Sequence, residues 1–267
     1  MNGTLTTIES ARVGAATVFA PASLLSCVAD LVRVHGSLYD WASSEPQPRA
    51  LRGRAPVYMA SLSAGGPAVV VRHAWHGGLL APFTRDLFRR PTRAPVELAR
   101  SRELLAMDIS TTEVLGYVLY DASFGLVRVD VMTRYVPNTA DLGMVLAGLA
   151  PSVDRDAALA ATLTLLAQLA SHRVVHPDLN VKNILLHTPD GTPPRAMIID
   201  VDVVRIDAGS AAQVMERNVT RLVRSLRKWN RQFGCDFVEA DIAEFAAAAM
   251  ARTPHDRTLP GAAGVSL

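Results

Sequence analysis

The stretch that leaves this chain the fewest choices lies between residues 176 and 202. It reads His176-Pro177-Asp178-Leu179-Asn180-Val181-Lys182-Asn183 and runs on through apolar Ile184-Leu185-Leu186. It turns at Thr188-Pro189-Asp190-Gly191-Thr192-Pro193-Pro194-Arg195 and resumes as Ile198-Ile199-Asp200-Val201-Asp202. Two short apolar runs around a Pro-Asp-Gly turn predict a β-hairpin. A hairpin alone would account for Asp178 and Asn183 as residues that cap turns. It would not ask for a further carboxylate, Asp200, at the end of the second apolar strand.

The order Asp178, Asn183, Asp200 has a physical reason. A loop-borne aspartate can accept the proton of an attacking hydroxyl, and an asparagine a few residues on can turn back to hold a metal. The second strand then delivers a carboxylate to metal ions that bridge nucleotide phosphates. The pattern fits H-x-D-L-x-x-x-N followed, one hairpin later, by a metal-binding aspartate. It predicts Asp178 as catalytic base, with Asn183 and Asp200 as ligands of Mg²⁺ on ATP. The three side chains are expected to converge on one magnesium–phosphate cluster in a cleft between two lobes.

Length and composition bound what surrounds this stretch. The 267 residues, 49% hydrophobic and 19% charged, suffice for one large domain or two lobes with separate cores. A formal net charge of +2 is too weak to argue for nucleic acid as a partner. Cys27 and Cys235 stand far apart with no neighbour at ligand spacing, so neither a disulfide framework nor a zinc site is expected, and a reducing compartment is the default. Val13 to Ala29 carries no charge, but Pro21 interrupts it, small residues dilute it and Asp30 ends it, so it reads as a soluble segment.

Taken in order, residues 1–35 read as an N-terminal extension with a helix from Ala22 to Val34. Gly36 to Trp41 is a short mixed segment, followed by a polar turn from Ser43 to Arg49. Val57 to Leu62 and Ala68 to His73 predict a hairpin around Gly65-Gly66-Pro67. Upstream, Gly53 offers a thin version of a phosphate-covering glycine loop, for which an ordinary turn is an equal reading. The hairpin's second strand ends on Arg72, where the V-A-I-K strand of protein kinases carries a phosphate-pairing lysine. Arginine keeps the charge and forks onto phosphate, though it is bulkier. A helix from Pro95 to Met107 carries Glu97 and Glu103, either of which could reach Arg72. Val114 to Tyr120 and Val127 to Thr133 predict two more strands, and Asp141 opens a helical stretch to about Leu149. The plainest helix runs from Asp154 to Ser171, its stripe formed by Leu159, Leu163, Leu166, Ala167 and Ala170. After Asp202 the chain becomes helical again, and Arg217, Arg221, Arg224, Arg227, Lys228 and Arg231 give a basic face between Asn218 and Phe233. Such faces are commonly just solvated; the functional alternative is attraction to an anionic lipid surface or a phosphorylated substrate. The tail from Thr253 is expected to be loosely ordered.

In these residues the chain resembles the lipopolysaccharide-core sugar kinases typified by 3-deoxy-D-manno-octulosonic acid (Kdo) kinase. The likeness rests on Val71-Arg72-His73-Ala74-Trp75-His76-Gly77-Gly78-Leu79, Pro95 to Leu98, His176 to Leu186, and Ile198 to Asp202. Arg221-Leu222-Val223-Arg224-Ser225-Leu226-Arg227-Lys228 is similar to a further segment of that group, and the resemblance spans roughly Gly36 to Gly234. It implies an α+β, bilobal protein-kinase-like fold, with a small antiparallel-β N-lobe carrying one helix and a mostly helical C-lobe. The boundaries it implies are an N-lobe over residues 36–135, a C-lobe over 136–252 and a tail over 253–267. It also implies Asp178 as base, Asn183 and Asp200 as metal ligands, and Arg72 as the phosphate-facing cation. Glu97 stands where the family's helix glutamate is expected, which selects it over Glu103; Gly53 and Lys182 complete the nucleotide-contacting set. Asp202 matches the family's Asp-Phe-Asp, with Val201 in place of the phenylalanine.

The implied activity is ATP- and Mg²⁺-dependent transfer of a γ-phosphoryl group to a sugar hydroxyl, on Kdo of the lipopolysaccharide inner core. The implied acceptor is a sugar or lipid-linked saccharide, and the expected place is the cytoplasm, peripheral at the cytoplasmic face of the inner membrane. Two other readings stay open on sequence. One is a nucleotide-binding pseudokinase scaffold, motivated by Arg72 and the thin glycine loop. The other is a kinase for a protein Ser/Thr or a small-molecule hydroxyl, because acceptor pockets are built from variable loops.

Overall fold

The structure, a computed structural model, describes residues 7–45, 49–51, 56–63, 66–75, 86–189, 192–235 and 237–255. The chain divides into two compact units, residues 1–137 with 200–202, and residues 138–199 with 203–267.

The first unit is built on an antiparallel sheet whose strands are β1 (Ile8–Val13), β2 (Ala16–Pro21), β3 (Arg49–Leu51), β4 (Val57–Ser61), β5 (Ala68–His73), β6 (Val114–Asp121) and β7 (Val127–Arg134). Their spatial order is β1-β2-β6-β7-β5-β4-β3. Helices α1 (Ala22–His35), α2 (Leu38–Ser44) and α3 (Ala94–Ala106) belong to the same unit. Residues 8–21 supply two of the sheet's strands rather than an extension. Their alternation explains this: Ala16, Val18 and Ala20 of β2 are buried while the residues between them are not. Gly116 sits at an irregularity in the β6–β7 register, and a Cβ there would meet the Phe19 carbonyl oxygen at 2.4 Å, so only glycine lets β2 pair this closely.

Residues 38–44 form a helix rather than a mixed segment. Ser37 caps it by accepting the Asp40 N–H, and the Leu38 N–H is donated to the Tyr120 hydroxyl at 2.9 Å. On β5, Val69 and Val71 face the core with no exposure, which turns Arg72 to the opposite face of the sheet. Helix α3 buries Ala94, Glu97, Leu98, Ser101 and Leu104, one face at helical spacing. The Ser101 hydroxyl donates to the Thr112 carbonyl at 2.9 Å and accepts the Val114 N–H at 3.0 Å, tying α3 to the start of β6.

The second unit holds a smaller sheet, ordered β10 (Arg195–Ile198), β9 (Ile184–His187) and β8 (Thr139–Asp141). Its helices are α4 (Leu142–Leu146), α5 (Arg155–Ser171), α6 (Ala211–Phe233) and α7 (Glu239–Ala251). Asp154 caps α5 by accepting the Ala157 N–H at 2.8 Å. The buried residues of α5 are Ala158, Thr162, Leu163, Leu165, Leu166, Leu169 and Ala170, a broader set than the expected stripe, with Leu159 and Ala167 only half-buried. The reason is that α5 packs on β9, β10, α4, α6 and α7, so more than one face is covered. Helix α6 begins seven residues before Asn218, at a capping box formed by Ser210 and Gln213, and stops at Gly234 in the left-handed conformation.

Candidate functional site

The loop between α5 and β9 alternates between the interior and solvent. His176, Leu179, Val181 and Asn183 are buried, while Asp178 and Lys182 are exposed. A chain with this many turn residues keeps one shape only if its backbone groups are bound elsewhere. Asn218 of α6, itself fully buried, does much of this. Its Oδ1 accepts the His176 N–H at 3.0 Å and its Nδ2 donates to the Val174 carbonyl at 2.9 Å. The Val181 N–H donates to the Ser225 hydroxyl at 3.1 Å, and the Gly143 N–H donates to the Val181 carbonyl at 3.2 Å. The Trp229 indole N–H donates to the Gly143 carbonyl at 2.9 Å, and a Cβ on Gly143 would lie 2.8 Å from that ring. His176 Nε2 lies 2.9 Å from the Ile199 carbonyl, and the Ile199 N–H donates to the Asn183 carbonyl at 3.0 Å. These bonds fix the loop against the strand end from which Asp200 follows.

Within the loop, the Asn183 side-chain amide donates to the Asp178 carbonyl at 3.0 Å, and that of Asn180 donates to the same oxygen at 2.9 Å. Asn183 therefore spends its nitrogen on the loop and keeps its Oδ1 as the acceptor end. The Asp178 carboxylate, 57% exposed, pairs with Arg221 of α6. The Lys182 ammonium lies 5.2 Å from the centre of the Trp229 ring, a cation–π contact.

In the first unit, Arg72 and Glu97 form an ion pair, with Glu97 8% exposed and Arg72 34%. Glu103, the other helix carboxylate, pairs instead with Arg100. Burial works against the charge on Arg72, but Glu97, Asp200 and Asp202 outweigh it and hold its pKa above the ordinary value. Burial raises Glu97, and the like charges of Asp200 and Asp202 add to the rise while Arg72 opposes it. Asp200 has a left-handed backbone (φ 58°), which aspartate tolerates better than most residues, and Asp202 lies 3.4 Å from Arg93. Gly53 and His76 to Leu79 lie outside the described residues.

A second cluster beside Arg72 gave no sign of itself in the sequence. His73 Nδ1 lies 2.6 Å from Asp130 and its Nε2 lies 3.1 Å from Asp86. Asp130, fully buried, also accepts the Tyr39 N–H at 3.0 Å and the Tyr120 hydroxyl at 2.8 Å. Both ring nitrogens of His73 face carboxylates, which only the imidazolium satisfies as a donor on each side. Burial works against that charge, but Asp130 and Asp86 outweigh it and leave the His73 pKa raised.

The described residues hold no cluster of three or more His, Cys, Asp or Glu suited to a metal. The side-chain Oδ1 of Asn183 and the exposed carboxylate of Asp200 are nonetheless hard oxygen donors. Each is a donor of the kind that suits a magnesium ion keeping waters and substrate phosphates as other ligands, rather than a closed protein cage. Arg72, Glu97 and Asp200 fall in the first unit, and Asp178, Lys182 and Asn183 in the second.

An antiparallel-sheet unit with a strand arginine paired to a helix glutamate, and a helical unit presenting an anchored His-x-Asp loop, define a kinase-like phosphotransferase. Residues 52–248 match the model of the lipopolysaccharide kinase (Kdo/WaaP) family, and the chain belongs to that family. It is 27% identical over 180 residues to a 3-deoxy-D-manno-octulosonic acid kinase of Pasteurella multocida strain Pm70, covering 66% of this chain and 72% of that one. A second 3-deoxy-D-manno-octulosonic acid kinase, of Xylella fastidiosa strain M12, is 26% identical over 209 residues, covering 75% and 78%. Among solved structures, WaaP in complex with acyl carrier protein aligns with a TM-score of 0.48 at 16% identity, over 84% of this chain and 86% of that chain. No helix among the described residues is long and apolar enough to cross a membrane.

Proposed function

We propose that this protein transfers the γ-phosphoryl group of ATP to a hydroxyl of Kdo in the lipopolysaccharide inner core. The observation that carries the reading is the loop: Asp178 stands in solvent between buried His176 and buried Leu179, on a backbone that Asn218 and Asn183 hold by hydrogen bonds. A base held this way can wait for a hydroxyl without reorganising. Asp178 accepts the hydroxyl proton as the acceptor oxygen attacks, and Arg221 orients its carboxylate. Arg72, steadied by Glu97, faces the nucleotide phosphates. Asn183 and Asp200 would hold Mg²⁺, which supplies charge neutralisation on the phosphates when bound. The two named relatives support Kdo as the acceptor. Arg217, Arg221 and Arg224 of α6 support an acceptor that is anionic and lipid-linked.

Arg72 motivated the scaffold reading, and its pairing with Glu97 favours an active arrangement, because active protein kinases pair a strand cation with a helix glutamate. The test is incubation with labelled ATP and Mg²⁺ against Kdo-bearing lipid A precursors, simple sugars and protein. Label in the Kdo acceptor, lost in Asp178→Ala, is the expected result. Label in protein, or nucleotide binding without transfer to any acceptor, would overturn it.

A further inference from the structure

Beside Asp178, in the second unit, lies a cavity of about 290 Å³ whose floor is His176-Pro177 and whose wall is Arg217, Thr220, Arg221 and Arg224 of α6. Its size is near the lower end for small-molecule sites, suited to one sugar ring rather than an extended chain. The arginines recur at i, i+4 and i+7, so one helix face carries all of them. Of the three arginines lining the cavity only Arg221 meets a carboxylate, that of Asp178, which leaves the cavity cationic.

Their donors are not used up. Arg217 gives Nη1 to the Ala208 carbonyl at 2.9 Å, and Arg221 gives Nη2 to Asp178. The Nε of Arg221 is buried with no hydrogen-bond partner, and Arg224 makes no hydrogen bond or ion pair among the described residues. A buried donor left unmatched is costly, and an anion is the partner a guanidinium satisfies best. The neighbouring basic residue Arg227 is different, since Glu239 already neutralises it.

We propose that this cavity is an anion subsite for the acceptor: a carboxylate or phosphate on the molecule being phosphorylated docks on Arg224, Arg221 and Thr220 and so sets its hydroxyl against Asp178. The inference rests on the kinase reading above and narrows it to an acidic acceptor. The pairing of the cavity's Arg221 with Asp178 decides for the acceptor over the nucleotide, because a general base must touch the hydroxyl it deprotonates. Kdo carries a carboxylate on its ring, and lipid A precursors carry phosphates, so either could supply the charge.

The test measures KM and kcat with three acceptors: a Kdo-bearing lipid A precursor, the same compound as its Kdo methyl ester, and the same compound stripped of lipid phosphate. Arg224→Ala is expected to raise KM for the intact acceptor roughly tenfold or more with a much smaller change in kcat, while Arg231→Ala, on the same helix outside the cavity, behaves as wild type. If the sugar carboxylate is the docked group, the ester reproduces the loss in wild type and Arg224→Ala adds nothing to it. If the lipid phosphate is docked, the dephosphorylated compound does so instead. Equal KM values for Arg224→Ala and wild type, or an equal loss on all three acceptors, overturn the subsite. A second measurement needs no turnover: calorimetric titration with free Kdo and with inorganic phosphate, nucleotide absent. Binding weakened about tenfold in Arg224→Ala but not in Arg231→Ala upholds the subsite even if no Kdo acceptor is phosphorylated, in which case the Kdo-kinase reading alone falls. Transfer to Kdo with a KM indifferent to Arg224 and to both acidic groups removes the subsite and leaves the kinase.

Discussion

Replacing Asn218 with alanine removes two hydrogen bonds at once and leaves both loop partners buried. The His176 N–H loses its acceptor at 3.0 Å and the Val174 carbonyl its donor at 2.9 Å, and Asn218, His176 and Val174 are each fully buried. Each stranded backbone group costs about 1–3 kcal/mol, so the pair together costs roughly 2–6 kcal/mol. At about 2–4 °C per kcal/mol for a chain of this size, a loss of about 3 kcal/mol lowers Tm by roughly 6–12 °C. The loop is also freed, and a base displaced by about 1 Å costs on the order of a hundredfold in kcat. Two readouts check this together: thermal unfolding beside Arg231→Ala as control, and hydrogen exchange at the His176 amide, whose protection should fall first. An Asn218→Ala protein that melts with wild type, keeps that amide protected and turns over normally would refute the claim that α6 holds the loop.

Other outcomes follow from the same geometry. Asp178→Asn should lower kcat by roughly 10²–10⁴ while the thermal shift on adding Mg²⁺ and ATP persists; loss of that shift would make Asp178 a binding residue instead. Arg72→Ala should raise KM for ATP and leave Glu97 buried without its cation, and Arg72→Lys should recover part of the affinity, since lysine supplies the charge without the fork. The raised pKa of His73 gives stability that is complete below the unfolded value near 6.5 and is lost as pH rises through the higher folded value. Wild-type Tm should therefore fall on the alkaline side of that window, and His73→Gln should flatten the dependence; an unchanged profile in the variant would rule out the histidine as its source.

The sequence was most legible where chemistry and local pattern coincide. Asp178, Asn183 and Asp200 stand out because a turn-forming role leaves the last of them without a purpose, and the strand and helix periods around them are strong. Arg72 and Glu97 were separable from other charges only through the family likeness; spacing alone left Glu103 equally eligible, and what distinguishes them is that Glu97 is buried facing β5 while Glu103 turns to Arg100. The strands over residues 8–21 were missed because a charge-free run suggests burial without saying against what, and β2 is recognisable as a strand only once β6 lies beside it. His73 and Asp130 are 57 residues apart and meet only because β5 pairs with β7 in a register that sets one opposite the other. No local pattern encodes that register.

Helix α6 explains why a basic stretch and a catalytic loop belong together in this chain. Its interior face carries Val214, Asn218, Leu222, Ser225 and Trp229, with Asn218, Ser225 and Trp229 bonding the loop or the segment against it. Its other face carries Arg217, Arg221 and Arg224 at the cavity. Each arginine is the sequence neighbour of an interior-face residue, Asn218, Leu222 or Ser225, so the helical period alone sends one set inward and the other outward. A charge docking on the outer face is therefore felt by the element that holds the base, through a rigid helix rather than a flexible loop. Sliding α6 by one residue would lose both functions together, whereas exchanging Arg224 alone leaves the inner face intact. That difference is what makes Arg224 a clean probe of acceptor binding and Asn218 a clean probe of loop rigidity.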